Sequence, residues 1–259
     1  MNQTVYTSAT SNIPPHIQQQ AMAYQLGNFI RVSRPKYTNP VVIVAIMVGA
    51  IVLDIIALVA LLNWLDRISV YFLIIPVAVI IWGVRALTSH NLNIYLFDYG
   101  YIDSRGKQIR AIRWEQIATI WTKISTTRYG THVSFTINLF GDAQSLQYGN
   151  TLPDVANIEQ MIQNAVTHIQ LPRAIATFEA GTPVVFGKVS VTAQGITDGA
   201  RIIPWDQIDT IQIAQGIIAA RRGASLLKLK GVKTQDVPNI GVLTALVNHI
   251  APRMHGYYA

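Results

Sequence analysis

Two long apolar runs near the start of the chain predict a helical hairpin. Val41–Leu62 contains 22 residues with Asp54 as its one charged residue, and Ile68–Val84 contains no charged residue. An α-helix rises ~1.5 Å per residue, so the first run is long enough for the ~30 Å hydrocarbon core of a bilayer. Five residues separate the runs. The pattern therefore predicts an antiparallel transmembrane α-hairpin within residues 40–87.

Basic residues on either side of these runs predict how the hairpin is oriented. Three precede the first run and one follows the second, whereas the connection holds one (Arg31, Arg34 and Lys36; Arg85; Arg67). Cytoplasmic loops of membrane proteins are enriched in Lys and Arg. We therefore expect a two-span, multi-pass protein of the cell membrane with both termini in the cytoplasm.

Asp54 lies near the middle of the first run, where an ionised carboxylate is costly. One interpretation is an ion or proton site. The interpretation that we favour is a protonated or hydrogen-bonded intramembrane residue that faces its partner helix or another subunit. The second run has no ionisable residue at the matching depth, and a proton relay normally needs several such groups.

The polar segment before the first run, residues 1–39, is predicted to be cytoplasmic and partly disordered. It contains Pro14, Pro15 and the run Gln18–Gln20. Residues 17–30 fit a short interfacial helix, whereas residues 26–32 fit an extended segment, and the pattern does not choose between them.

From residue 90 onward the apolar positions change to patterns typical of strands and then of a helix. His132–Phe140 alternates apolar and polar residues, which predicts a half-buried antiparallel strand. After Pro153 and Asp154 the apolar residues recur at helical spacing as far as Leu171, and Pro172 is predicted to end that helix.

An internal repeat then predicts two similar domains. Ile112–Ile120 and Ile203–Ile211 share the pattern I-x-W-[ED]-Q-I-x-T-I at a spacing of 91 residues. Several strands followed by one helix surround each copy, so we predict domains at residues 90–173 and 180–252. The repeated Trp114 and Trp205 are predicted to anchor the two cores rather than to stack on a ligand.

This organisation resembles the pleckstrin-homology-like (PH-like) fold, a curved antiparallel sheet with a C-terminal helix. More closely, the chain resembles an uncharacterised family of bacterial membrane proteins with PH-like domains. The segments that carry the resemblance are Tyr95–Phe97, Ile112–Ile117, Leu152–Val155, Leu171–Ala174, Phe186–Gly187, Pro204–Trp205 and Val237–Asn239. The resemblance implies an α+β fold with two tandem PH-like domains beside the transmembrane hairpin, and it implies no catalytic residue or substrate.

Motifs for catalysis or cofactor binding do not occur in the sequence. Cysteine is absent, which excludes disulfides, thiolate zinc sites and cysteine nucleophiles. No phosphate-binding glycine loop and no G-x-S-x-G elbow is present, and the six histidines lack metal-like spacing. Glu115 and Asp206 are equivalent in the repeat, but equivalent residues of two domains need not face one cleft. We therefore expect a protein that is not an enzyme and that needs no cofactor or metal.

The charge of the chain is concentrated and suggests an anionic partner. The formal net charge is +7, although only 13% of residues are charged and 51% are hydrophobic. Residues 181–259 contain eight Lys/Arg and four Asp/Glu. Five of these basic residues fall on one predicted hairpin and are the candidates for binding a lipid or another partner: Arg221, Arg222, Lys228, Lys230 and Lys233. Arg105, Lys107 and Arg110 form a second, weaker cluster.

These observations predict a membrane-anchored, non-enzymatic module that presents tandem PH-like domains at the cytoplasmic face. Scaffolding, protein binding or contact with anionic lipid headgroups would be its role. The expected partners are the lipid bilayer, a protein or a second copy of the chain. Nucleic acid is not expected, because aromatic residues are not interleaved with the basic clusters. The alternatives are an accessory subunit of a membrane transporter or channel and, least favoured, a cryptic enzyme.

Overall fold

The structure is a computed structural model that describes residues 13–35, 40–64, 77–81, 83–84, 92–128, 130–149 and 151–255. For residues 40, 54, 57–64, 214, 226–228, 230–231 and 255 it describes the backbone alone. The chain forms two compact units. The first comprises Met1–Ala111 with Thr151–Pro153, and the second comprises Ile112–Asn150 with Asp154–Ala259.

An antiparallel sheet and a short helix form the first unit. The strand order is β1-β2-β3-β4, with bounds Phe29–Ser33, Leu92–Phe97, Gly100–Arg105 and Gln108–Arg113. Helix α1, Pro15–Ala23, buries Ile17 and Ala21 in a cluster with Tyr95 and Phe97 of β2. The sequence pattern did not decide whether this segment is helical or extended, and the structure contains both. Helix α1 ends at Ala23, and β1 begins at Phe29 and pairs with β2.

Helix α2, Pro40–Trp64, covers the first apolar run. Many of its large apolar side chains are exposed, among them Val41, Leu53 and Ile56. Part of the second apolar run, residues 77–81 and 83–84, is also helical, and Gly83 packs so closely on Met47 that an added Cβ would overlap that side chain.

No helix in the described part of the chain is both long and apolar enough to cross a membrane. The prediction of a transmembrane α-hairpin is therefore wrong, and so is the predicted multi-pass location in the cell membrane with cytoplasmic termini. Most of the second predicted span, Ile68–Val84, lies outside the described residues.

Three antiparallel sheets and two long helices form the second unit. The first sheet has the order β5-β6-β7, with bounds Ile117–Thr127, Gly130–Leu139 and Ser145–Tyr148. The second has the order β11-β10-β9-β8, with β8 to β11 at Val184–Phe186, Val189–Thr192, Gly195–Thr197 and Ile202–Pro204. The third has the order β12-β13-β14, with bounds Thr210–Ala214, Ile217–Arg222 and Ser225–Lys233. Helices α3, Val155–Glu179, and α4, Ile240–His255, follow β7 and β14.

The repeated sequence forms the same local structure in both copies. In each copy a strand of a four-stranded sheet runs into a 3₁₀ turn, Trp114–Gln116 or Trp205–Gln207, and then into a three-stranded sheet that a helix follows. Both tryptophans are buried, which confirms them as core anchors. Both lie in the 3₁₀ turns, at the first position of each. The indole Nε1 of Trp205 donates to the carbonyls of Thr192 and Ala193, both at 3.1 Å.

Pro172 does not end helix α3, as the sequence had suggested, and the helix continues to Glu179. The extension buries Ala174 in the core of the second copy and brings the ring of Phe178 to 6.1 Å from that of Trp205, edge to face. A proline inside a helix removes one N–H and disturbs the carbonyl four residues earlier. That residue is His168, which is exposed, so water can solvate its carbonyl.

Candidate functional site: a basic hairpin

The β13–β14 hairpin carries all five basic residues that the sequence singled out. Its core side is secured by Ile218, Ala219 and Ala220, which are buried, and the next two residues, Arg221 and Arg222, are exposed. Arg221 lies opposite Leu226 and Arg222 opposite Ser225, so the two arginines stand beside the turn.

Hydrogen bonds to Asp209 shape this turn. The N–H of Asp209 donates to the carbonyl of Arg221 and its carboxylate accepts from the N–H of Gly223, both at 2.7 Å. The guanidinium Nε of Arg221 donates to the carbonyl of Gly223 at 2.8 Å. Gly223 has φ +54°, a backbone conformation that glycine adopts without strain. Within the described residues no ion pair joins Arg221 or Arg222 to a carboxylate.

The five basic residues do not form one patch. Lys228 lies opposite Ala219, and Lys233 lies opposite Ile217, at the other end of β13 from Arg222. Arg222 lies five residue steps along the strand from Ile217, a distance of about 17 Å. The side chains of Lys228 and Lys230 lie outside the described part of the structure. We call Arg221 and Arg222 the hairpin tip and treat Lys233 separately.

At the other end of the hairpin, Lys233 lines a cleft together with Lys123 of β5. Lys123 was not predicted as a site residue. Basic and acidic residues are equally numerous in this part of the sequence, and Lys233, the other lysine of the cleft, lies 110 positions later. No signal in the sequence links the two lysines, because they belong to different copies of the repeat.

Arg105 of the second basic cluster and Glu115 of the repeat-equivalent carboxylates each have a local partner. Arg105 pairs with Asp103 at 3.0 Å, and Arg113 pairs with Glu115 at 3.1 Å. The hydrogen bond from Arg113 holds the pKa of the Glu115 carboxyl below its ordinary value. Glu115 and Asp206 are both exposed, and neither lines the cleft that holds Lys123 and Lys233.

A buried polar cluster was also not predicted. The hydroxyl of Thr122 donates to Glu159 Oε1 at 2.5 Å, and Gln163 Nε2 donates to the same hydroxyl at 3.3 Å. Burial raises the pKa of Glu159, although the hydrogen bonds from Thr122 and Gln163 oppose that effect. The cluster joins α3 to β5 in the second unit and is not an open site.

The remaining predicted residues give no site. Asp54 lies on α2, and its side chain is outside the described part. The interpretation of Asp54 as an intramembrane residue is also wrong, because no described helix can cross a membrane. In the described ranges no group of three or more His, Cys, Asp or Glu residues could hold a metal ion.

The fold and the hairpin define a class of protein: an internally repeated chain of antiparallel sheets, with a helix after each copy and a basic hairpin in the second. The chain belongs to a family of unknown function (DUF6585), whose model matches residues 1–254. Searches of the curated proteins and of the solved structures give no match. The resemblance to PH-like domains stays a prediction.

Proposed function

We propose that this chain is a non-enzymatic binding module that holds an anionic partner at the hairpin tip. The observation that carries the proposal is the pair of exposed guanidinium groups, Arg221 and Arg222, on a turn that Asp209 shapes. Guanidinium groups suit carboxylate and phosphate because their planar N–H donors match both anions. The partner is an acidic protein segment or the headgroups of anionic lipid, and the module serves as a scaffold for it.

The transporter-accessory alternative is not carried forward. It rests on Asp54 inside a membrane span, and no described helix can form such a span.

Binding of the full chain to two anionic probes tests the proposal. The probes are poly-glutamate and vesicles that contain phosphatidylserine, and zwitterionic vesicles serve as a control because α2 exposes apolar side chains that can adsorb to any lipid. Exchanging both tip arginines for glutamine (R221Q/R222Q) should weaken binding to at least one anionic probe by about thirtyfold, since each of the two charged contacts contributes about 1 kcal/mol.

The double variant K107Q/R173Q removes the same charge at two exposed positions elsewhere and is the matched control. It should leave binding at the tip within about twofold, apart from a small effect of net charge that salt screens. Equal weakening by both double variants would show that net charge alone acts, and the proposal would then be rejected. Unchanged binding of R221Q/R222Q to both probes would reject it as well.

A further inference from the structure

A cleft of about 310 Å³ opens in the second unit beside strand β5. Three segments line it: Lys123–Thr126 of β5, the turn Gln215–Ile217 between β12 and β13, and Lys233–Gln235 at the end of β14. Its volume is at the lower end of the range for small-molecule sites, ~300–1,000 Å³.

The β5 side of the cleft is a sheet edge, so it offers backbone donors. β5 is the outer strand of its sheet. Both backbone groups of Ile120 bond to Asn239 on the outer side, at 2.8 and 2.9 Å. Alternate residues of an antiparallel strand direct their N–H and C=O to the same side, and the register with β6 is regular from Thr119 to Thr127. The N–H groups of Ile124 and Thr126 therefore point to that same edge.

The opposite wall of the cleft is the turn Gln215–Ile217, and its contact with β5 supports the outward direction of these backbone groups. A Cβ added to Gly216 would lie 2.7 Å from the carbonyl oxygen of Ile124, so this carbonyl points out of the sheet towards the turn. Gln215 and Gly216 have φ values of +51° and +76°, typical of a tight two-residue hairpin turn. The N–H of Thr234 donates to the carbonyl of Gly216 at 2.9 Å and fixes the turn against the third segment.

The charge of the cleft is positive. Lys123 and Lys233 both line it with exposed side chains, and no carboxylate is among the lining residues. The nearest acid in sequence, Asp236, pairs with Lys188 at 3.1 Å and accepts the N–H of Lys233 at 3.1 Å. Ser125, Thr126 and Thr234 are also among the lining residues.

We propose that this cleft binds the phosphate group of a small molecule, held by the ammonium groups of Lys123 and Lys233 and the edge N–H groups of Ile124 and Thr126. Ammonium groups and backbone N–H groups are the donors that phosphate oxygens accept most strongly. The site goes beyond the proposed function, because the hairpin tip lies about 17 Å away along β13. It exists only where strands from both copies of the repeat meet.

Calorimetric titration of the full chain with inorganic pyrophosphate tests this site. We expect saturable binding of one pyrophosphate per chain, and a loss of about tenfold or more in affinity for Lys123→Gln and for Lys233→Gln. Lys107→Gln and Arg173→Gln each remove one charge at an exposed position elsewhere and should change the affinity by less than about twofold. Both lysine side chains are exposed, so neither substitution should disturb folding.

Amide NMR spectra provide a second readout that net charge alone would not produce. Pyrophosphate should shift the N–H resonances of Ile124 and Thr126 in the wild type and leave them in place in Lys123→Gln. No saturable binding, or binding that both lysine variants retain in full, would overturn the proposal.

A further comparison identifies the source of the phosphate. If vesicles that contain phosphatidic acid bind through the two lysines and pyrophosphate displaces them, the ligand is a lipid headgroup. If pyrophosphate binds through the lysines and the vesicles do not, the ligand is soluble.

Discussion

Asn239 shows how one residue can complete a sheet edge in another part of the fold. Its amide oxygen accepts the N–H of Ile120 at 2.8 Å, and its amide nitrogen donates to the carbonyl of Ala118 at 3.0 Å and to Gln170 at 2.8 Å. Its backbone has φ +51°, which Asn tolerates better than most residues. The outer edge of β5 is therefore closed at Ile120, while the same edge stays open further along, at the cleft.

Removing this side chain should be costly. Asn239→Ala leaves the N–H of Ile120 without its partner and removes the shorter of the two hydrogen bonds to the carbonyl of Ala118, and we expect a loss of about 2–3 kcal/mol in the free energy of unfolding by urea. Asn248→Ala on α4, the helix that Asn239 directly precedes, is the matched control. Asn248 is exposed and, among the described residues, accepts a hydrogen bond from Thr210, so its loss should cost about 0.5 kcal/mol. Equal costs for the two variants would contradict the role given to Asn239.

Because Glu159 is partly buried, we predict that the free energy of unfolding depends on pH through this residue. Burial raises its pKa in the folded protein, so the folded state holds the proton more tightly than the unfolded state does. The stabilisation that protonated Glu159 contributes is fully present below the pKa that this group has in the unfolded state. It is lost as the pH rises through the higher pKa that the group has in the folded state. Glu159→Gln keeps an acceptor for the Thr122 hydroxyl but cannot ionise, so its stability relative to wild type should increase with pH.

Urea unfolding at several pH values between about 4 and 8 measures this difference. Glu179→Gln on the same helix is the control, because Glu179 is exposed and pairs with exposed Arg253 at 3.5 Å. If the difference between Glu159→Gln and wild type stayed constant with pH, Glu159 would not titrate as stated.

At the scale of elements, the extension of α3 past Pro172 joins the two copies of the repeat. The sequence pattern predicted that this helix ends at Pro172, because proline strongly disfavours the interior of a helix. The contacts that favour the longer helix come from Trp205 and its neighbours, which follow in the chain by some 30 residues. Tertiary packing therefore outweighs the local preference at this position.

Loss of that packing should be measurable. Phe178→Ala removes the edge-to-face contact with Trp205, and we expect a loss of about 2 kcal/mol in the free energy of unfolding. Ile169→Ala serves as a control on the same helix before Pro172, where the side chain is 37% exposed, and should cost about 1 kcal/mol. A smaller cost for Phe178→Ala than for Ile169→Ala would show that the extension does not stabilise the second core.

At the scale of the whole molecule, the repeat and the compact units do not share boundaries. Strands β5–β7 belong to the first copy of the repeat, yet they lie in the second unit with the whole of the second copy. The first unit joins β1 from the N-terminal segment to β2–β4, although α2 lies between β1 and β2 in the chain. The cleft that we propose as a phosphate site is a product of this arrangement within the second unit.

The sequence alone determined the local features of this protein. Alternation predicted β6, with Phe135 and Ile137 buried, and helical spacing predicted α3, with Ile158 and Ile162 buried. The repeat marked both strand-to-strand junctions and both tryptophan anchors. These features depend on residues two to four positions apart, which a periodic pattern reports directly.

Only the tertiary structure decided the rest. It placed Lys233 beside Lys123 and away from the hairpin tip, it carried α3 past Pro172, and it brought Asn239 to the edge of β5. It also overturned the transmembrane hairpin, since hydropathy records how apolar a run is but not the structure in which that run is placed. Each of these outcomes depends on contacts between residues far apart in the chain, and those contacts form only when the sheets and helices pack together.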